Sequence, residues 1–590
     1  MKKILLYTAA LAGVLSLGSC AEDFLKQNNT YQLSPDNYFD SDAAVQSATY
    51  PLYNYVWYDF NDKFYYGMGD GRANNITAQY SNYIYPYTNF TENSLSQGLS
   101  EAWGSLYSVV SQANNTINNI QNKCTSGVSD DAKKQAIAEA RFMRGLAYWY
   151  IGTLWGCGII YTNTEDMVNN YVVPAQPRID VIEFATRDME YAAACLPTSS
   201  TSGRVNKYTA YGMLSRFYLS MAGLTTEGVF DGNNIATDFN RGTRNQYYLD
   251  LAKAAAKKAI TSNAYSLVDD YNTLWAYSTM NNNKEAMFQL QFITGDGAGG
   301  AAQSMTRFLA WSTMVADTNA WGGATYCSYD LWNEFSNYTD ENLGLTEVVD
   351  TIRRHNSIAF YGEAYPELSA DKSNPYIYGV TESAGSQGAN IKKYVIGTKK
   401  VNGFSVPNNS GVNTYMLRLA EVYLNYCEAA LGNNESTRDN DAITYFNAIR
   451  SRAHMKTKKE ITYEDLRHEN RMEFAFEGLY WYYLVRRGYY KQQEVVNYVN
   501  NQNRNASYYE SSTHTYKLSD TYKAPGTGVA TATAKSLTLP MADTDQTKNP
   551  NLKTDSDGNI TTTRYNFGDR SVAHATLFPE LFNNGDGTSK

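Results

Sequence analysis

Glu469, Glu473 and Glu477 recur at four-residue intervals in the stretch ENRMEFAFE. On a helix that spacing lines three carboxylates along one face. Two carboxyl groups about 5 to 9.5 Å apart are the acid and base, or acid and nucleophile, of a glycosidase. A stripe of like charge also destabilises its own helix unless cations face it, and Arg418, Arg450 and Arg452 on preceding segments are available. The expectation is a charge network between helices, not an active site. His468 stands beside Glu469 without H-E-x-x-H spacing, and five histidines in 590 residues argue against a metal hydrolase. Asp555–Asn559 begins like a calcium loop, but the loop glycine falls on Ile560 and the bidentate acid on Asn566. It reads as a turn. Gly67–Gly71 has no phosphate-loop form, and no serine or cysteine sits in a nucleophile elbow. No catalytic residue, metal ligand or cofactor site is assigned, and the chain reads as a non-enzyme.

The aromatic residues suggest binding instead. Tyrosine takes 51 of 590 positions, and its ring face with a hydrogen-bonding tip suits amphipathic ligands such as sugars. Most of these rings should fill seams between helices, as should Trp103, Trp149, Trp155 and Trp481. The run ITAQYSNYIYPYTNF (76–90) differs, with Tyr80, Tyr83, Tyr85, Tyr87 and Phe90 in eleven residues and Pro86 arguing against a helix. A loop that aromatic packs under something or faces a ligand. Asn74, Asn75 and Asn82 are placed to hydrogen-bond sugar hydroxyls.

The amino terminus concerns address. Lys2 and Lys3 precede an apolar stretch from Ile4 to Leu17, short of the roughly 20 residues that span a bilayer. It reads as a signal peptide (1–19). Leu17-Gly18-Ser19-Cys20 resembles a lipoprotein lipobox that leaves Cys20 as the acylated lipid anchor. Glu22 and Asp23 resemble the acidic export tag of Bacteroidetes surface lipoproteins. Fifty cations against 59 acids give a net charge of −9, which offers no basic footprint for nucleic acid. Five further cysteines, with no C-x-x-C, imply neither zinc nor a disulfide framework and read as buried thiols.

Helical periodicity predicts the elements that must position these residues. It runs through 102–120, 132–154, 181–196, 208–221 and 248–260, then 416–431 closed by Gly432, then 442–452, and a helix opened by Thr462 and Asp465 at capping-box spacing. Between Tyr265 and Asn413 periodicity fails, and GDGAGGAAQ (295–303) reads as loop. The predicted fold is all-α: degenerate tetratricopeptide-like helix–turn–helix repeats with long irregular loop insertions. One domain (20–590) would comprise a helical core at about 36–262 and 413–490, a loop-rich insertion at about 265–412 and an irregular segment at 491–590.

YMLRLAEVYLNYCEAALGN (415–433), AITYFNAIRSRAH (442–454) and ITYEDLRHENRMEFAFEGLYWYYLVRRG (461–488) together resemble the C-terminal signature of the SusD/RagB family of Bacteroidetes surface glycan-binding lipoproteins. DNYFDSDAAVQSATYPLYNYV (36–56) is similar to the family's first helix, and 101–120 and 138–156 to its core helices. NNNKEAMFQLQF (281–292) resembles its central strand, WGGATYCSYDLWNEF (321–335) the turn beyond, and LTLPMADTDQTKNPNL (537–552) its closing segment. Two features depart from the pattern: Tyr480, Tyr482 and Tyr483 where the family commonly has an arginine and an aspartate, and a long tail beyond Leu552. The resemblance implies an oligosaccharide-binding lid over a SusC-like TonB-dependent outer-membrane transporter. It also implies sugar-binding aromatics after the first helix and after the central strand, where Trp311 and Trp321 lie; Trp321, in W-G-G, also fits a packing turn. The alternatives are a peptide-capturing lid, as in the RagB branch, and a surface glycoside hydrolase.

Overall fold

The Ser129 hydroxyl accepts from the Ala132 N–H at the start of a 26-residue helix, and Gly156, at φ +74°, ends it. Capping of this kind delimits much of the helical framework in the computed structural model, which describes residues 38–78, 81–294, 302–311, 314, 325–380, 388–397, 401, 410–518, 531–568 and 574–581. Its long helices are α1 (Leu99–Lys123), α2 (Asp130–Trp155), α3 (Arg178–Cys195), α4 (Lys207–Leu224), α5 (Gln246–Ile260), α6 (Leu419–Leu431), α7 (Asn440–Arg452), α8 (Tyr463–Phe474) and α9 (Tyr480–Gly488). From α1 to α7 each packs against the next along the chain, and α6, α8 and α9 continue the layer. The predicted capping box at Thr462 and Asp465 is present, and Gly432 closes α6 at φ +56°. Met416, expected on α6, lies instead on a strand that enters it. Its five residues, Thr414–Arg418, are all buried, and an apolar run that short carries no mark separating strand from helix.

The segment between α5 and α6 contributes small sheets. Strands β1 (Ile76–Ala78), β3 (Thr325–Cys327), β4 (Ile358–Ala359) and β5 (Asn390–Ile391) form an antiparallel sheet in the order β1-β3-β5-β4. The expected central strand, β2 (Ala286–Leu290), pairs with β6 (Thr414–Arg418). Trp103, Trp149, Trp155 and Trp481 are buried as expected. Cys157, Cys327 and Cys427 are buried, whereas Cys124 and Cys195 are half-buried thiols.

The stretch before β1 is helical over 58–71, with wide i→i+5 turns at Phe60–Phe64 and Gly67–Gly71. Its glycines permit a close crossing: a Cβ on Gly69 would stand 2.3 Å from the Gly478 carbonyl oxygen. Asp70 holds the same crossing by accepting from Phe476 N–H (2.9 Å) and the Asn75 amide (2.8 Å). Burial pushes its carboxyl up to about 6 against those bonds. Because the obstacle is backbone, Gly69→Ala should destabilise by about 3 kcal/mol, the upper end of overpacking. A denaturant midpoint unchanged from wild type would contradict the crossing.

The tail left open by the sequence straps α3 and α4. Arg564 grips the Asp180 carboxylate through Nε and Nη2, both at 2.8 Å. His574 Nδ1 lies 2.5 Å from Glu190 Oε1, and the Phe578 ring packs on Tyr211 and Tyr218. The Asp555 turn is present, with its carboxylate accepting from the Asp557 and Asn559 amides.

Candidate functional site

The three glutamates form the predicted charge network, although α8 ends at Phe474 and Glu477 lies three residues beyond it instead of on the same helix face. Glu473 receives Arg418 Nη1 (2.5 Å) and Arg452, and Glu477 receives Arg418 Nη2 (2.8 Å) and Lys393 (3.0 Å). Glu469 receives Arg353 (2.6 Å) and Arg450 (3.1 Å). Burial opposes the Glu473 charge, yet Arg452, Arg418 and Arg353 outweigh it and hold its pKa well below the usual carboxylate range. Fixed cations hold Glu469 and Glu473 in the charged form, and Glu477 is gripped by two of them. Their role is to join α8 to β6, α7 and the 351–393 segment.

The aromatic residues meet elsewhere. Asp62, in the first wide turn, accepts from the Ser304 hydroxyl at 2.6 Å and so anchors the short helix Met305–Leu309. The Thr306 hydroxyl donates to the Tyr394 carbonyl at 2.7 Å, fixing the other side. This places the Phe308 ring 6.3 Å from Tyr66 and 6.2 Å from Tyr83, the latter edge-on at 73°. Tyr83 also packs against Phe64 at 5.4 Å, and the Gln97 amide donates to its hydroxyl. Phe308 and Tyr83 are both half-buried, and Tyr66 is fully buried beneath them. Trp311 follows Phe308 by three residues and packs, partly buried, against a small cluster that includes Ala310, Met314 and Tyr365. Its indole N–H finds no hydrogen-bond partner among the described residues. Ring surface from two distant segments is thus presented on fixed supports.

Not every expected residue shares this surface. Asn82 is exposed and Tyr85 half-buried on the same turn as Tyr83. Tyr87 is fully buried, its hydroxyl donating to the Gln97 carbonyl at 2.7 Å, so it supports the loop and presents no face. Asn74 and Asn75 are buried too: Asn74 donates to the Asn503 carbonyl at 2.9 Å, and Asn75 accepts from Arg471 at 3.0 Å. They tie the chain together instead of meeting sugar. Pro86 does not exclude a helix, since it occupies the first turn of Tyr85–Thr88, where its missing N–H costs nothing. Tyr80, Trp321 and Cys20 lie outside the described residues. Phe308 was missed; its one signal was an aromatic three residues before Trp311.

The family model described as the SusD family matches residues 259–557. The chain belongs to the SusD family. A second model, described as starch-binding associating with outer membrane, matches residues 23–219 of this SusD-like chain. A SusD-like protein of Bacteroides ovatus is 34% identical over 505 residues, 85% of each chain. The starch-binding protein SusD of Bacteroides thetaiotaomicron is 24% identical over 407 residues, 63% of this chain and 68% of that protein. A crystal structure with xylogluco-oligosaccharide superposes with a TM-score of 0.76 at 32% identity, covering 89% of this chain and 100% of the other. Residues 558–590, which include the part of the tail of this SusD-like chain that grips α3 and α4, lie beyond both matched spans.

Proposed function

We propose that this protein is a cell-surface lipoprotein, anchored through Cys20, that binds oligosaccharide on the Tyr83–Phe308–Trp311 surface and acts with a SusC-like TonB-dependent transporter in glycan uptake. The observation that carries the binding role is the junction of two separate aromatic segments through Phe308. Rings stack on the C–H faces of sugars and remove apolar area from water at ~25 cal/mol per Å², while the exposed Asn82 is available to hydroxyls. Binding of a xylogluco-oligosaccharide by a structural relative at 32% identity supports the ligand class. The ion-paired Glu469, Glu473 and Glu477 support binding without hydrolysis.

Calorimetric titration with xylogluco-, laminari- and malto-oligosaccharides tests the binding role, with uptake of at least one and no new reducing ends as the expected result. Cells grown on the bound glycan should yield the protein together with a large outer-membrane barrel in mild detergent. Cys20→Ala should release it from the membrane fraction, since acyl chains contribute ~0.8 kcal/mol per buried methylene. Recovery of wild type only as a free monomer would count against the transporter partnership. Unchanged membrane fractionation of Cys20→Ala, with no barrel attached, would count against the anchor.

A further inference from the structure

We propose a second carbohydrate-binding site, in the groove between α1, the 159–171 segment and the helix Asp543–Lys548. The inference rests on the glycan-binding reading above but uses none of the residues of that surface. The groove encloses about 650 Å³, within the range of pockets that bury a small ligand. Trp103, Tyr107, Tyr161, Met167, Tyr171 and Asp545 line it.

Its rings are held in place. Trp103 lies 4.8 Å from Tyr107, and the Tyr107 and Tyr161 rings are within 12° of parallel at 6.1 Å. The polar ends of both tyrosines are engaged by protein: Tyr107 accepts from the Ile159 N–H at 2.6 Å, and Tyr161 bonds the Ser111 hydroxyl at 2.7 Å. At the mouth the situation reverses. Tyr171, which lines the groove, is 56% exposed, an aromatic ring left in water with no core role to explain it.

The polar side of the groove chooses among ligands. Asp545 is only 8% exposed, yet its Oδ1 stands 3.8 Å from Lys548 Nζ, beyond a hydrogen bond. Its Oδ2 is enclosed by protein beside the Ser100 hydroxyl, so Oδ1 is the carboxylate oxygen left to a ligand. An acyl chain or an apolar side chain seated here would cover that oxygen without offering it a donor, an unfavourable burial. A cationic ligand would meet Lys548. A neutral ligand with hydroxyl edges and C–H faces satisfies both the rings and the carboxylate, which is the chemistry of a sugar.

The test titrates the same three oligosaccharides into wild type, Trp311→Ala, Tyr171→Ala/Asp545→Asn and the triple variant, with melting temperatures alongside. Tyr171→Ala alone, at an exposed position, serves if the double variant is destabilised. The expected result is two sugars per wild-type chain, one for each of the first two variants, and none for the triple variant. Should Trp311→Ala retain both sites while the groove variant loses one, this site stands and the Trp311 surface falls. A single site in wild type that survives the groove substitutions overturns the proposal. So does a groove variant that binds sugar normally but no longer co-purifies with a barrel, which would make the groove a protein interface. Failure of wild type to bind any of the three sugars overturns both sites.

Discussion

Glu473→Ala is expected to lose about 3–5 kcal/mol of folding stability, because removing one partner of a buried ion pair strands the other. Glu473 touches three guanidinium groups, from Arg353, Arg418 and Arg452, whose side chains are at most 4% exposed. Without it, like charges face each other away from water, with Glu285, Glu469 and Glu477 left to balance them. Urea unfolding followed by far-ultraviolet circular dichroism measures the loss. Glu464→Ala is the control, since its carboxylate is 58% exposed beside Arg467 and should cost under about 1 kcal/mol. The pH dependence follows from the same geometry. A carboxylate whose folded pKa is depressed contributes its stability above the ordinary glutamate value, about 4.3, and loses it only as pH falls through the lower folded value. The contribution of Glu473 should therefore persist well below pH 4. A loss under 1 kcal/mol for Glu473→Ala, or a midpoint of acid unfolding set near pH 4 by this residue, would contradict the network.

The helical layer was readable because its signals are local. Apolar residues at a period near 3.6 place α1 to α5, and the capping residues at Thr462 and Gly432 mark where α8 begins and α6 ends. The glutamate stripe was readable for a related reason, since a like-charge row implies facing cations whatever the fold. What escaped depends on partners far along the chain. Asn75 looked available to a sugar, yet its neighbour is Arg471, almost 400 positions away. Tyr87 and Tyr83 are four residues apart in one aromatic run, but one is buried and the other half-buried. Phe308 stands in a five-residue helix, too short to carry a period, and its place beside Tyr83 is set by the Asp62–Ser304 contact. The tail offered no periodicity at all; its order comes from single polar contacts such as Arg564 with Asp180.

The central claim is that Tyr83, Phe308 and Trp311 form the surface on which glycan binds. Trp311→Ala removes the largest ring at a half-buried position packed against a small satellite core. Phe308→Ala removes the ring that connects the two segments. Loss of stacking and of the ordered support together is expected to raise Kd for this site by at least about 100-fold, or about 2.7 kcal/mol. The fold should survive, because neither ring belongs to the fully buried core, and the melting temperature should fall by no more than about 3 °C. Calorimetric titration of the Phe308→Ala/Trp311→Ala double variant with the best-bound oligosaccharide, in the Tyr171→Ala/Asp545→Asn background to silence the groove, is the most direct measurement. The account predicts that binding disappears while the thermal transition stays in place; retention of wild-type affinity at one site per chain would contradict it.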